Sequence, residues 1–174
     1  MVTVNDLKKL LKNIASNEEF LIEMKAIFFE AMNAGYVATS KPKKSSLAEI
    51  PGYKVITYIS GHWKVIDAYQ VTPLGNVSGG TTHILYDEIP TWMMHYFGWY
   101  REDAVPCLKA ALRAKYEEKE FFGGRGPARF RHQEYVYLNR PVLLPFQYFC
   151  GSEEVNMGNV TIVGHHSYHG GLMF

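Results

Sequence analysis

The spacing of apolar residues changes along this chain and divides it into helical and extended regions. Near the N-terminus the spacing is three to four residues, as on one face of a helix. It predicts a first helix over residues 3–15 and a second helix that begins at the capping box Ser16–Glu19 and ends before Gly35. The apolar stripe of the second helix consists of Phe20, Met24, Ile27, Phe28 and Ala31.

From residue 53 onward the apolar period falls to two, which is typical of strands with one buried face. The pattern predicts a β-meander with strands at 54–59, 63–71, 81–87 and 92–97. A helix follows over residues 103–122, with Asp103 as its cap and Pro106 in its first turn. Further strands are predicted at 133–139, 142–149 and 158–164.

The order of these elements indicates an α+β fold. We expect an antiparallel, curled β-sheet of about seven strands, with the N-terminal helices and one central helix packed on it. The chain of 174 residues is long enough for one hydrophobic core and shows no internal repeat, so it is predicted to form a single domain over residues 1–174.

One carboxylate interrupts the apolar face of the strand at 63–71. Side chains two residues apart share a face of a strand, which puts Asp67 beside Trp63, Val65 and Tyr69. A buried carboxylate without a partner is costly, so Asp67 should be hydrogen-bonded, paired with a cation, or exposed to a wet pocket. The first two possibilities are structural and only the third is functional.

The composition adds a reason to expect a pocket. Aromatic residues make up 14% of the chain, with 12 Tyr and 10 Phe, which is more ring surface than a small core needs. Eighteen basic and 17 acidic residues leave a net charge of +1, which disfavours a nucleic-acid or membrane partner. Cys107 and Cys150 have no metal-binding spacing, and with no signal peptide or spanning segment in view they predict reduced thiols in a cytoplasmic protein.

Three of the seven histidines lie within the segment 165–169. On a strand His165 and His169 share one face, while His166 and Tyr168 share the other. One hypothesis is that His165 and His169 bind a metal ion together with Asp67 from a neighbouring strand. The alternative is that the histidines form hydrogen bonds in an aromatic pocket or at its rim.

The segment Gly123–Pro127 has the composition of a phosphate loop but follows a helix instead of preceding one. It therefore lies at the negative end of the helix dipole, and a helix-terminating turn is the favoured interpretation. Arg125 is expected to have a structural role there, by binding free carbonyl groups or a carboxylate such as Glu153 or Glu154.

The strand at 92–97 carries bulky residues on both faces, which predicts burial on both sides. Either His95 or Tyr96 could border the same cavity as Asp67. The sequence contains no nucleophile elbow and no cysteine beside a histidine, so covalent catalysis is disfavoured and no cofactor is expected.

Several short segments together resemble a bacterial family of domains of unknown function (domain of unknown function 5680), some members of which are fused to helix-turn-helix regulators. The similarity runs from about Phe29 to the C-terminus. It implies a compact domain with a small-molecule sensing pocket that includes Asp67, Tyr69, Trp92 and Tyr168, and it implies no activity. The segments are Gly35–Ala38, Pro51–Gly52, Gly61–Tyr69, Pro90–Gly98, Phe122–Pro127, Phe149–Glu154 and Tyr168–Gly171.

These observations favour a non-enzymatic domain that binds or senses a small molecule and acts alone or as a homo-oligomer. A metal-assisted hydrolase or lyase that uses His165, His169 and Asp67 is one alternative, and a structural or protein-interaction domain is another. Whether the protein is an enzyme is left open. The candidate binding residues are Trp63, Asp67, Tyr69, Trp92, His95, Tyr96, Tyr168 and His169.

Overall fold

The computed structural model describes residues 18–40, 42–158 and 161–174. Within these ranges the chain forms two α-helices, one short 3-10 helix and eight β-strands. The helices are α1 (Glu18–Ala34) and α2 (Val105–Glu117), and the 3-10 helix (Glu102–Ala104) leads directly into α2. The strands are β1 (Tyr53–Ser60), β2 (Trp63–Val71), β3 (Val77–Tyr86), β4 (Ile89–Tyr100), β5 (Arg129–His132), β6 (Tyr135–Leu143), β7 (Tyr148–Met157) and β8 (Thr161–Leu172).

All eight strands belong to one sheet in the order β1-β2-β3-β4-β8-β7-β6-β5. Every neighbouring pair is antiparallel. The first four strands form a meander, α2 then carries the chain to the far edge, and the last four strands return as a second meander that ends beside β4. The predicted α+β class is confirmed, with eight strands instead of about seven, and the sheet is open because β1 and β5 form its edges.

Helix α1 follows the predicted stripe closely. Phe20, Met24, Ile27, Phe28 and Ala31 are all buried, and the helix ends at Ala34, directly before Gly35. The first turn carries Glu18 and Glu19, which suit the positive end of the helix dipole. The predicted first helix over residues 3–15 and the capping residue Ser16 lie outside the described residues.

The core lies between the two helices and one face of the sheet, which we call the inner face. Ring stacking is dense there: Trp92 stacks on Phe146 and Phe149 and meets Phe28 of α1 edge-on. The opposite face of the sheet, the outer face, is covered by neither described helix. The expectation that β4 is buried on both sides was therefore wrong, since Phe97 on its outer face is 66% exposed.

Some predicted boundaries were wrong, each for a local reason. Helix α2 ends at Glu117 instead of residue 122, because Lys119 adopts a left-handed conformation with φ of 55° and ends the helix before the glycines. The predicted strand at 142–149 instead covers the end of β6, the turn that contains Pro145, and the start of β7. Pro145 cannot donate a ladder hydrogen bond, which favours a turn there.

The remaining boundary errors come from strands with weak apolar patterns. Strand β5 was missed because it has only four residues. Strand β3 begins at Val77 instead of residue 81, and its first residues are small. Strand β8 continues to Leu172 instead of ending at 164, since Gly170 allows Phe149 of β7 and Met94 of β4 to pack closely against it.

Candidate functional site

A cavity of about 360 Å³ lies between the inner face of the sheet and the two helices. Its apolar wall includes Met32 of α1, Met94 of β4 and Leu108 of α2. Its mouth is formed by the β2–β3 turn and the start of α2. Small-molecule sites in proteins have volumes of roughly 300–1,000 Å³, so the cavity has room for a compact ligand. The polar and aromatic residues that line it include Tyr36, Asp67, Tyr69, Tyr96, Tyr100, Tyr116, Arg125 and His166.

Asp67 lies at the cavity wall near the middle of β2 and is 6% exposed. Its Oδ1 atom accepts hydrogen bonds from Thr82 Oγ1 at 3.1 Å and from the Tyr96 hydroxyl at 2.9 Å. Both hydrogen bonds from the described residues end on Oδ1, which leaves Oδ2 available to a molecule in the cavity. Burial raises the pKa of Asp67, and the two hydroxyl donors oppose that rise only in part.

Arg125 and Glu153 form a buried ion pair beside Asp67. The guanidinium donates to Glu153 Oε1 through Nε at 2.9 Å and also through Nη2. The hydroxyls of Tyr100 and Tyr137 donate to the same carboxylate at 2.8 and 2.5 Å. Burial would raise the pKa of Glu153, but the charge and hydrogen bonds of Arg125 outweigh burial and hold that pKa below its ordinary value. The expected pairing of Arg125 with Glu153 is confirmed.

His166 of β8 lies between the rings of Tyr96 and Tyr100, with ring centroids at 6.0 and 4.6 Å. Its Nε2 atom is 3.3 Å from Ser78 Oγ, whereas Nδ1 is buried without a hydrogen-bond partner among the described residues. Burial, helped by the charge of Arg125, lowers the pKa of His166 to about 4. The imidazole is therefore neutral at physiological pH.

Tyr96 and Tyr100 remain protonated across the physiological range. Burial is the largest cause that raises the pKa of Tyr96 and of Tyr100, and the neighbouring carboxylates raise it further. Their hydroxyl groups can therefore serve as hydrogen-bond donors. The interior thus combines neutral donors, a neutral imidazole, one ion pair and one carboxylate, Asp67, that forms no ion pair with a described residue.

Of the eight predicted binding residues, Asp67, Tyr69 and Tyr96 line this cavity. Trp63 and Trp92 instead belong to the hydrophobic core, where Trp63 packs on Phe20. Tyr168 is also in the core, and its hydroxyl donates to Asn139 Oδ1 at 2.6 Å.

His95 and His169 lie on the outer face, away from Asp67. They are cross-strand neighbours of β4 and β8, with ring centroids 5.3 Å apart, and they border a shallow depression there. The alternation in β8 was predicted correctly, but the inner face carries His166 and Tyr168 instead of His165 and His169.

This geometry also removes the metal hypothesis. His165 and His169 are four residues apart on the outer face of β8, or roughly 13 Å along a strand, and Asp67 points to the inner face. Ligands of one ion all lie about 2 Å from it, so these three side chains cannot share one. Within the described ranges, no group of three or more His, Cys, Asp or Glu side chains is arranged to bind a metal ion.

Sequence reasoning did not assign several cavity residues. Tyr36 follows α1 in a turn and Tyr100 is the last residue of β4, where no repeated pattern specifies which way a ring points. The sequence placed His166 on the same face as Tyr168 but did not say which face points inward, and the register of β8 against β4 would have been needed to bring His166 to the cavity.

The fold and the cavity define an open antiparallel α+β domain with an internal site lined by tyrosines and buried ionisable groups. The chain belongs to the DUF5680 family, described as a domain of unknown function, because residues 75–173, more than half of its length, match that family. The matched region contains Tyr96, Arg125 and His166, whereas Asp67 lies before it. No curated protein matches the chain, and no solved structure does.

None of the described helices combines the length and the apolar character needed to cross a bilayer.

Proposed function

We propose that this protein binds a small organic molecule in the cavity between the inner face of the sheet and the two helices. The observation that carries the proposal is the carboxylate of Asp67, which is buried at the cavity wall, forms no ion pair with a described residue, and has one oxygen without a hydrogen bond from a described residue. A carboxylate kept in the interior only for structure would be expected to have a cation or a full set of donors.

The walls of the cavity support the same proposal. Ligand sites are mostly apolar and aromatic, with a few polar groups that fix the orientation of the ligand. Here Met94 and Leu108 supply apolar surface, and Asp67 and Arg125 bring two unlike polar groups to one enclosed space. Phe97 and Trp99 are exposed on the outer face, but the described side chains that line the depression beside Phe97 include no Asp, Glu, Lys or Arg.

The experiment is a thermal-shift screen of the purified protein against a metabolite library, followed by titration calorimetry of each hit. The variant designed to prevent binding is Val105→Trp. Val105 is half-buried at the mouth of the cavity, and an indole ring in its place would block that mouth. The matched control is Glu117→Trp, which adds the same ring to an exposed position of α2 that does not line the cavity.

We expect at least one compound to raise the melting temperature of the wild type and of Glu117→Trp but not of Val105→Trp. Ligand at 100 times its dissociation constant should stabilise the folded state by about 2.7 kcal/mol. A library without hits, or hits that bind Val105→Trp as tightly as the wild type, would refute binding in this cavity.

A further inference from the structure

The interior of the cavity contains two buried carboxylates with unequal surroundings. Glu153 is 1% exposed and has its own cation, Arg125, together with two tyrosine hydroxyls. Asp67 is equally enclosed, but among the described residues no lysine, arginine or histidine forms an ion pair with it. Its hydrogen-bond partners in the described part of the chain are the neutral hydroxyls of Thr82 and Tyr96.

The other charges around the cavity compensate for Asp67 only in part, since the charges of Arg125 and Lys44 lower its pKa but burial outweighs them. Arg125 is neutralised by Glu153 at short range. Lys54 and Glu102 line the mouth, where both are exposed and carry opposite charges. Lys44 is not a lining residue, and its ammonium group donates to the Tyr69 hydroxyl at 2.6 Å. The enclosed part of the site therefore has a formal charge of −1 when Asp67 is ionised.

The aromatic walls also favour positive charge. The face of a tyrosine ring is electronegative and attracts cations within about 6 Å of its centroid. Three lining rings already have such contacts: Lys109 over Tyr36 at 4.8 Å, Lys44 over Tyr69 at 5.3 Å, and Arg125 over Tyr96 at 5.5 Å. Cations thus approach the same tyrosines from within this chain.

We infer that the ligand is a small organic cation whose ammonium group binds Asp67 Oδ2 and whose apolar part lies against Met94 and Leu108. This inference rests on the proposed function and adds the chemical class of the ligand. An ammonium supplies the missing countercharge, donates a charge-assisted hydrogen bond, and contacts the tyrosine walls. A neutral isostere satisfies Asp67 only weakly, and a carboxylate would be repelled by it.

The test compares compounds of similar size and shape that differ in charge. One set is benzylamine, benzyl alcohol and benzoate, and a second is choline with its uncharged isostere 3,3-dimethylbutan-1-ol. Binding to the full-length wild type is measured by titration calorimetry. We expect at least one amine or ammonium compound to bind about 10- to 100-fold more tightly than its neutral counterpart, and benzoate to bind more weakly than either.

Asp67→Asn is the matched variant, because the amide oxygen can still accept from Thr82 and Tyr96 while the negative charge is lost. It should abolish the preference for the cation. Asp87→Asn is the control for the same chemical change, since Asp87 is exposed in the β3–β4 turn, where it contacts His62. That variant should keep the wild-type preference. If Asp67→Asn fails to fold, the charge series on the wild type still decides the question.

Two results would overturn this inference while the proposed function survives. One is a cavity ligand, lost in Val105→Trp, for which neutral and cationic isosteres bind equally. The other is a ligand that binds Asp67→Asn with an undiminished preference for the cation. If neither the charge series nor the metabolite library yields binding that Val105→Trp removes, the proposed function fails with it.

Discussion

Removal of Arg125 should destabilise the fold far more than removal of a surface cation. In Arg125→Ala the Glu153 carboxylate, 1% exposed, loses its countercharge, although the Tyr100 and Tyr137 hydroxyls still donate to it. Removing one partner of a buried ion pair costs about 3–5 kcal/mol, a large share of the roughly 5–15 kcal/mol by which domains are stable. With a urea m-value of about 1–3 kcal/mol/M, the unfolding midpoint should fall by roughly 2 M.

The assay is urea unfolding followed by circular dichroism at pH 7. The matched surface variant is Lys64→Ala, which breaks the exposed ion pair with Glu88 and should cost less than about 1 kcal/mol. A double variant, Arg125→Met with Glu153→Gln, removes both charges and should recover much of the loss. Equal unfolding midpoints for Arg125→Ala and the wild type would refute the reasoning. So would a double variant whose loss of stability equals the sum of the losses in Arg125→Met and Glu153→Gln measured separately.

The pH dependence gives an independent check on the same pair. In the wild type the folded-state pKa of Glu153 is below its unfolded-state value. The ionised carboxylate therefore contributes fully to the stability of the fold above the unfolded-state pKa, and this contribution is lost as the pH falls through the folded-state pKa. Without Arg125, burial should raise the folded pKa above the unfolded value. Protonation of Glu153 at acidic pH would then remove the unpaired buried charge from the variant. The difference in stability between the variant and the wild type should therefore narrow as the pH falls.

Two further predictions concern His166 and Cys107. The folded-state pKa of His166 is lowered to about 4, so between about pH 6.5 and 4 the unfolded chain binds the proton more readily, and about 3 kcal/mol of stability is lost on acidification. His166→Gln should lose less stability over this range when urea unfolding is measured at several pH values. The same dependence of stability on pH in the variant and the wild type would contradict this. Burial raises the pKa of the Cys107 thiol to about 11. In a Cys150→Ser variant, where Cys107 is the remaining thiol, a chromogenic disulfide reagent at pH 8 should therefore react only after urea unfolding. Rapid labelling of the folded variant would contradict this.

The fold could be predicted largely from periodicity because long strands and helices with one buried face repeat their pattern many times. The alternation in β2, from Trp63 through Asp67 to Tyr69, appears in the structure as alternating burial, and α1 buries its predicted stripe. Short or glycine-rich segments do not carry enough repeats. Strand β5 and the first residues of β3 were missed for this reason.

The candidate site was only partly predictable, because it depends on the order of strands in the sheet. Alternation alone separates His165 and His169 from His166, but it does not say which set faces the helices. That choice is fixed by the pairing of β8 with β4, which places Tyr168 opposite Tyr96 and His166 opposite Gly98. The two halves of the sheet meet only at this pair of strands, far apart in sequence, so no local pattern could have assigned the histidines.

The cavity itself has a sequence origin that becomes clear once the register is known. On the inner face of β3, Ile84 belongs to the core, whereas Thr82 and Ser78 line the cavity with Gly80 between them, and these three residues are small. A side chain at Gly80 would come within 2.7 Å of the Tyr96 hydroxyl and within 2.5 Å of the Ala68 carbonyl oxygen, so it would displace the tyrosine that donates to Asp67. The small residues of β3 therefore keep open the space into which Asp67 points, which is why a carboxylate on an aromatic face was a better indicator of this site than any of the histidines.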